Sequence, residues 1–390
     1  MEIKYLFSSP DGDISLGSED LAKPFLIAPS KRHPFLTLGD YFETLKEFIL
    51  KDHGESLVCV LREVLNREIN LENIRKMLIR SEKHGVLYHL ASVEIFIDDK
   101  RIKLSVSTAV SETGKQWLAD EYEILTSLNA SLKLPYLPNV YFKDEMVAPA
   151  GKKKTETLAM FLGEWFEDYH EWHLSMDEND GKQKICIWDL RQGHRYASEK
   201  ESYEIFRQAS RILTLYYDTL SYEQIYPWHH AAGDFILRTK NTKIDVRLTT
   251  ARKYQSIIDY LSEDTVNPMI AIIYFFLHLT VRIRLDRLDG VGDVAWAGDF
   301  CVDAMTKGFF DALRVMEAEK RYQLGKIEDM LFLLKSFGEE EVRGLFHPLL
   351  DWYQEEDTAE FQVIQANLKS HVNLLCHALQ NLGSDLAKLG

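Results

Sequence analysis

The chain has 390 residues, 46% of them hydrophobic and 27% charged, with 61 acidic side chains against 46 basic ones for a formal net charge of −15. That length and apolar share can bury a large core in two or three domains or lobes. The acidic surplus argues against a nucleic-acid phosphate backbone or an anionic membrane as the main partner, while leaving room for one local basic pocket.

In chain order, MEIKYLFSSPDGDISLG lacks the basic and then apolar succession of a secretory signal, and residues 1–37 read as an irregular leader. From Leu38 to about Ile79 apolar residues recur three and four apart. This predicts helices in DYFETLKEFILKD, in SLVCVLREVLN and in LENIRKMLIR, the last capped by Asn70. Gly85–Val110 is rich in β-branched residues and predicts two strands around a turn at Asp98-Asp99-Lys100. KQWLADEYEILTSLNASL returns to helical spacing, with Trp117, Leu118, Tyr122, Leu125 and Leu128 near one face. Pro135 and Pro138 then break the chain. The strands NVYFKDEM and TLAMFLGEWF follow, on either side of a basic loop, Gly151–Lys154, whose expected role is an exposed connection. DENDGKQ reads as a turn and KICIWDL as a further strand.

After Ala197 the pattern is largely helical, opening with a Ser-x-x-Glu capping box at Ser198 and Glu201. DFILRT and KIDVRLTT form a predicted hairpin around Lys240-Asn241-Thr242, and from Lys253 onward only helices are expected. The apolar run Met269–Val281 is shorter than the roughly 20 residues needed to cross a bilayer and predicts a buried core helix. The stretch His347–Leu379 predicts a helical pair that packs on its own lobe or on a partner subunit, which leaves a homo-oligomer open. Cys59, Cys186, Cys301 and Cys376 lie far apart among mostly apolar neighbours, the usage of buried free thiols in a reducing cytosol; a cytoplasmic protein is expected.

The succession of elements resembles the protein-kinase-like fold, nearest the aminoglycoside phosphotransferase branch. RIKLSVSTAV stands where that family carries a phosphate-binding lysine, and Lys103 is the candidate. DEYEILTSL resembles the helix whose glutamate pairs with the lysine, at Glu121. TLAMFLGEWFEDYHEWHLS resembles the strand and hinge. HHAAGDFILRTKN resembles the catalytic loop, with Asp234 as catalytic aspartate and His230 as its brace, and KIDVR resembles the metal strand, with Asp245 as ligand. The resemblance implies an α+β fold of two lobes: residues 1–80 as a leader and helical extension, 81–175 as a small antiparallel sheet lobe, 176–390 as a helical lobe. It implies ATP and Mg²⁺ as cofactors and transfer of the γ-phosphate to a small-molecule or protein hydroxyl in a cleft lined by Glu121, Asp234 and Asp245. Such chemistry needs a carboxylate to take the hydroxyl proton and further oxygens to hold the metal on the phosphates.

The motifs depart from the family at several positions. No lysine lies in the middle of SVSTAV, no glycine-rich loop precedes that strand, and Thr239 stands at the spacing of the catalytic-loop asparagine. A pseudokinase that binds without transferring phosphate is therefore the alternative. Other readings of the same residues stay open: Asp234 bonding nearby turn N–H groups, Asp245 paired with Arg247 on one strand face, and either His229 or His230 bound to a backbone carbonyl. His170 and His173 would be juxtaposed on a helix and could hold a metal for hydrolysis. Arg282, Arg284 and Arg287, beside Asp286, Asp289, Asp293 and Asp299, suggest a charge network.

Overall fold

A computed structural model describes residues 1–9, 12–28, 31–85, 87–150, 154–189, 192–260 and 267–382. It is an α+β protein with a mixed sheet and many helices, divided into two compact units, Met1–Glu167 and Asp168–Gly390.

The first unit runs β1 (Glu2–Phe7), β2 (Ile14–Ser15), α1 (Ser18–Leu21), β3 (Pro24–Ala28), β4 (Lys31–Thr37), α2 (Leu38–Ile49) and α3 (Glu55–Leu65). It continues through β5 (Ile74–His84), β6 (His89–Ile97), β7 (Lys100–Ala109), α4 (Glu112–Leu132), β8 (Val140–Ala150) and β9 (Lys154–Glu164). Seven strands form one sheet in the order β2-β1-β5-β6-β7-β9-β8, parallel only between β1 and β5. Asp98 and Asp99 close the β6–β7 hairpin, as the sequence predicts, with Ile97 opposite Lys100. Alternate residues of β6 and β7 (Ala91, Val93, Ile95, Leu104, Val106) bury one sheet face under Phe42, Leu45, Phe48 and Leu61 of α2 and α3. Thr37 starts α2 with a capping box: its Oγ1 accepts the Asp40 N–H at 3.1 Å, and its own N–H donates to Asp40 Oδ2 at 2.9 Å. The helix α4 lies against β7, β8 and β9, with Tyr122 meeting Phe161 at 6.0 Å between ring centres. Phe161 points away from the face that its neighbours Met160 and Leu162 bury, so helices cover the sheet on both sides.

Four expectations change here. Residues 1–37 contain four strands rather than an irregular leader, and β1 finds its partner about 70 residues downstream. Residues 71–80 are no helix. Asn70 and Asn73 cap a single 3-10 turn, and β5 follows, held between β1 and β6. Residues 1–80 are thus built into the sheet unit, because the apolar faces of α2 and α3 need that sheet for cover. Cys59 is exposed, since Leu57, Val58, Val60 and Leu61 take the inner face of α3; Cys186 and Cys301 are buried free thiols. Gly151–Lys153 of the basic loop lie outside the described residues.

The second unit begins with β10 (His170–Met176), β11 (Gln183–Trp188), β12 (Arg195–Tyr196), α5 (Glu199–Leu215) and β13 (Glu223–Ile225). After these come β14 (Phe235–Lys240), β15 (Lys243–Leu248), β16 (Tyr254–Ser256), α6 (Pro268–Arg282), β17 (Leu285–Arg287) and β18 (Val294–Trp296). It ends with α7 (Phe300–Ala318), α8 (Ile327–Ser336), α9 (Glu339–Leu345), α10 (His347–Glu356) and α11 (Thr358–Asn381). Five strands pair in the order β12-β11-β10-β14-β15. β10 therefore belongs with this unit, and the boundary falls at Glu167 rather than at residue 175.

Ser198 and Glu201 form the predicted capping box of α5. This helix packs on α7 so closely at Gly308 that a Cβ there would sit 2.1 Å from the Arg207 carbonyl oxygen. Asn267 caps α6, Pro268 opens it, and its side chains are buried from Ala271 to Arg282, the core helix expected of its apolar run. Among the described residues no helix is long and apolar enough to cross a membrane. The region after Lys253 also holds short strands: β16 pairs with β13, and a 3-10 turn at Leu288–Gly290 folds the Asp-rich segment into the hairpin β17–β18.

Candidate functional site

The segment from Tyr226 to Arg252 is built from a loop, one 3-10 turn at His230–Ala232 and the hairpin β14–β15. Asn241 and Thr242, both at positive φ, close the hairpin as a tight two-residue turn. Gly233, at φ +72°, turns the chain from the 3-10 segment into β14 and brings Asp234 to the strand's start.

Asp234 is 2% exposed. Arg252 donates from Nη1 and Nη2 to its two carboxylate oxygens, both at 2.7 Å. The backbone N–H of His229 donates to Oδ2 at 2.8 Å. The carboxylate thus ties the loop, the start of β14 and the chain after β15 together, using a two-point guanidinium geometry. This is the turn-bonding reading of Asp234 with a buried ion pair added. Arg252 carried no signal of its own, because its role depends on the hairpin returning the chain to Asp234.

Asp245 has a different set of partners. It accepts the Tyr169 hydroxyl at 2.6 Å, Arg247 Nη1–H at 2.5 Å and Arg238 Nη2–H at 3.3 Å. Arg247 lies two residues on along the same strand face, as the sequence suggests. Burial and the Asp245 bond push the Tyr169 hydroxyl up to about 12. In the hairpin register Asp245 faces Arg238, whereas Asp234 precedes Phe235, which faces Leu248. At a rise of about 3.3–3.4 Å per residue, Asp234 and the Asp245 level are about 13 Å apart along the ribbon. Two carboxylates on one Mg²⁺ require oxygens roughly 2.1 Å from the same ion, and this hairpin does not bring the two together.

His230 is 2% exposed and surrounded by Trp172, Phe206, Trp228 and Phe235, with Trp172 at 4.4 Å between ring centres. Its Nε2 lies 3.1 Å from the Ile283 carbonyl oxygen, and burial pushes its pKa down to about 4. It is a neutral core histidine bonded to backbone, and it is the His229 main chain that braces Asp234.

In the first unit, Lys103 lies 2.9 Å from Glu82 Oε1, with its ammonium 3.8 Å over the Trp165 ring. β7 does place it on the sheet face that α4 covers, opposite the face of Leu104. Glu121 is 3% exposed within α4.

The proposed metal pair does not form. His170 and His173 sit on a strand, where residues three apart point to opposite faces. Among the described residues, no group of three or more His, Cys, Asp or Glu side chains is placed to hold a metal ion. Of the expected charge network, Arg284 meets Asp299 at 3.2 Å, while Arg282 turns to Glu360 on α11, and Asp286 and Asp289 bond Leu174 and Ser175 of β10. Arg282 bonds Glu360 at 2.5 Å, and Arg284 bonds the Ala297 carbonyl from Nε and Nη2 at 3.0 and 2.6 Å.

An open cleft of about 460 Å³ lies on the second unit's sheet, lined by Asp168, His170, Arg195, Arg238, Thr239 and Lys240 among others. Asp234 does not line it. Its floor is apolar, from Ile187 and Leu237, and its rim carries both charges. Compared with protein-family models and with curated proteins, the chain finds no match.

Proposed function

We propose that this chain is a kinase-like scaffold that acts by binding a partner rather than by transferring phosphate. The observation that carries the reading is the state of Asp234: both carboxylate oxygens are held by Arg252, and one is shared with a main-chain N–H, at 2% exposure. A catalytic carboxylate must reach a hydroxyl to take its proton, and this one is a buried brace. The engagement of Lys103 by Glu82 and Trp165, and of Asp245 by Tyr169, Arg238 and Arg247, supports the same reading. What favours the kinase-like frame is the order of elements. A strand with Lys103 (β7) is followed by a helix with Glu121 (α4), the strand β9, the long helix α5, the loop at His229–Asp234 and a hairpin.

The test is incubation of the full chain with ATP and Mg²⁺, measuring ADP release and phosphate incorporation into hydroxyl acceptors. The expected result is no turnover above a protein-free control. Turnover that Asp234→Asn abolishes would overturn the reading. Nucleotide binding is tested separately by thermal shift, since ligand at about 100 times its Kd adds about 2.7 kcal/mol of stability.

A second reading, an ATP- and Mg²⁺-dependent phosphotransferase acting on a small-molecule or protein hydroxyl, is favoured by one observation. Glu121 stands on α4, the helix that follows the strand of Lys103, which is the order in which a kinase-like fold sets its glutamate against its lysine. The same turnover assay separates the two.

A further inference from the structure

β10 carries Glu171, His173 and Ser175 at alternate positions, hence on one face. Across the β10–β11 pairing they stand beside Trp188, Cys186 and Lys184. The segment Leu285–Gly290 lies over this face. Asp286 Oδ2 accepts the Leu174 N–H at 2.8 Å, and Oδ1 accepts the Arg287 N–H at 2.8 Å while lying 3.5 Å from His173 Nδ1. Asp289 accepts the Ser175 hydroxyl at 2.5 Å. A Cβ on Gly290 would sit 3.1 Å from the His173 ring, so the turn is pressed against it. On its other side His173 Nε2 lies 3.7 Å from Glu171 Oε2. The His173 and Asp286 side chains are each 1% exposed.

One imidazole therefore stands between two carboxylates. When it is protonated, both ring nitrogens carry a proton, one aimed at Asp286 and one at Glu171. When it is neutral, one nitrogen presents a lone pair to a carboxylate, and the ring no longer offsets the charge of Asp286, buried with it, or of Glu171, whose side chain is 30% exposed. We propose that Glu171, His173 and Asp286 form a proton-operated latch that clamps the Leu285–Gly290 turn onto β10 when the imidazole is charged and loosens it when the imidazole is neutral.

The groups facing His173 are Glu171 on its own strand, Asp286 on β17, and Cys186 and the Trp188 ring (4.6 Å between centres) on β11. Gly290 packs from the turn, and His230 is near enough to feel the His173 charge. Burial pushes the imidazole's pKa down, but the contact with Asp286 and the charges of Asp286 and Glu171 outweigh it, and the net direction is up from 6.5. A histidine raised in the fold contributes stability that is complete below its unfolded value and is lost as pH rises through the folded one. The latch is closed at pH 6.5 and below, and it opens as the pH rises through the raised value of the folded protein.

Amide hydrogen exchange at Leu174 and Arg287, whose N–H groups both bond Asp286, reads the latch directly. After correction for base-catalysed intrinsic exchange, their protection is expected to fall at least tenfold between pH 6 and pH 9. His173→Gln, which cannot titrate, should give a flat profile. The imidazole C–H resonance of His173 in the unaltered protein should titrate above 6.5, and Glu171→Gln should move that midpoint down. Flat corrected protection in the unaltered protein, a His173 midpoint at or below 6.5, or the same pH profile in His173→Gln would overturn the proposal. The titration of the unaltered chain decides the matter even where His173→Gln does not fold.

Discussion

Arg252 and Asp234, eighteen residues apart in sequence, form a two-point ion pair with both N–O distances at 2.7 Å. The hairpin β14–β15 lies between them, so the pair staples its open end to the loop at His229. Removing one partner of such a pair leaves a charge stranded in a poorly hydrated place.

Asp234→Asn is therefore expected to destabilise the protein by about 3 kcal/mol, and Arg252→Met by a comparable amount. The double variant should recover part of the loss, because the stranded charge disappears with it. Urea unfolding of the four proteins measures this. A change below about 0.5 kcal/mol in Asp234→Asn would mean a free carboxylate, and would favour the catalytic reading.

Acid should destabilise the second unit through three buried histidines. Burial pushes His230 down to about 4 and His371 to about 3, and holds His278 well below its ordinary value. Each is neutral in the fold and takes a proton in the unfolded chain near pH 6.5. Their contribution is complete above that value and lost as the pH falls from 6.5 toward the folded values. At pH 5 the loss should reach about 2 kcal/mol per histidine relative to pH 7. His173 carries the opposite sign, but its slope lies above 6.5. Equal urea midpoints at pH 7 and pH 5 would count against this.

Lys103 and Glu82 should couple. Their side chains are 12% and 13% exposed and 2.9 Å apart, with the Trp165 ring stacked on the ammonium. A double-mutant cycle of Lys103→Met and Glu82→Gln is expected to give a coupling of about 1–2 kcal/mol. No coupling would mean a lysine available to a phosphate.

Gly308→Ala tests the seam between α5 and α7. With the Arg207 carbonyl oxygen 2.1 Å from the new methyl, the helices must part. The expected cost is about 2–3 kcal/mol, a typical overpacking penalty, read as a lower melting temperature with the helical signal at low temperature unchanged. A melting temperature equal to that of the parent would show that the helices give way freely.

What the sequence made legible was local. The Ser198–Glu201 capping box, the β14–β15 hairpin and the buried helix α6 all follow from residues within one turn or one strand of each other. What escaped depends on distant partners. Ile74-x-x-Met77-Leu78-Ile79 fits a helical face as well as a strand, and only β1 and β6 on either side decide the matter. HEWH reads as a helical pair until β11 and β14 claim it as a strand. The aspartates of the candidate site were findable, as was Arg247 two residues from Asp245, but Arg252, Arg238 and Tyr169 were not. Tyr169 lies 76 residues from Asp245, and no pattern in the chain announces such a meeting.

The parallel strand β1 has a protective effect. Paired along six residues of β5, it leaves the two-residue β2 as the rim on that side of the sheet. Peeled away, it would bare the backbone N–H and C=O groups of an eleven-residue strand, the kind of surface on which chains stack against one another. Self-association through this edge of the sheet, where it occurs, should begin with the loss of this one strand; the opposite edge is β8.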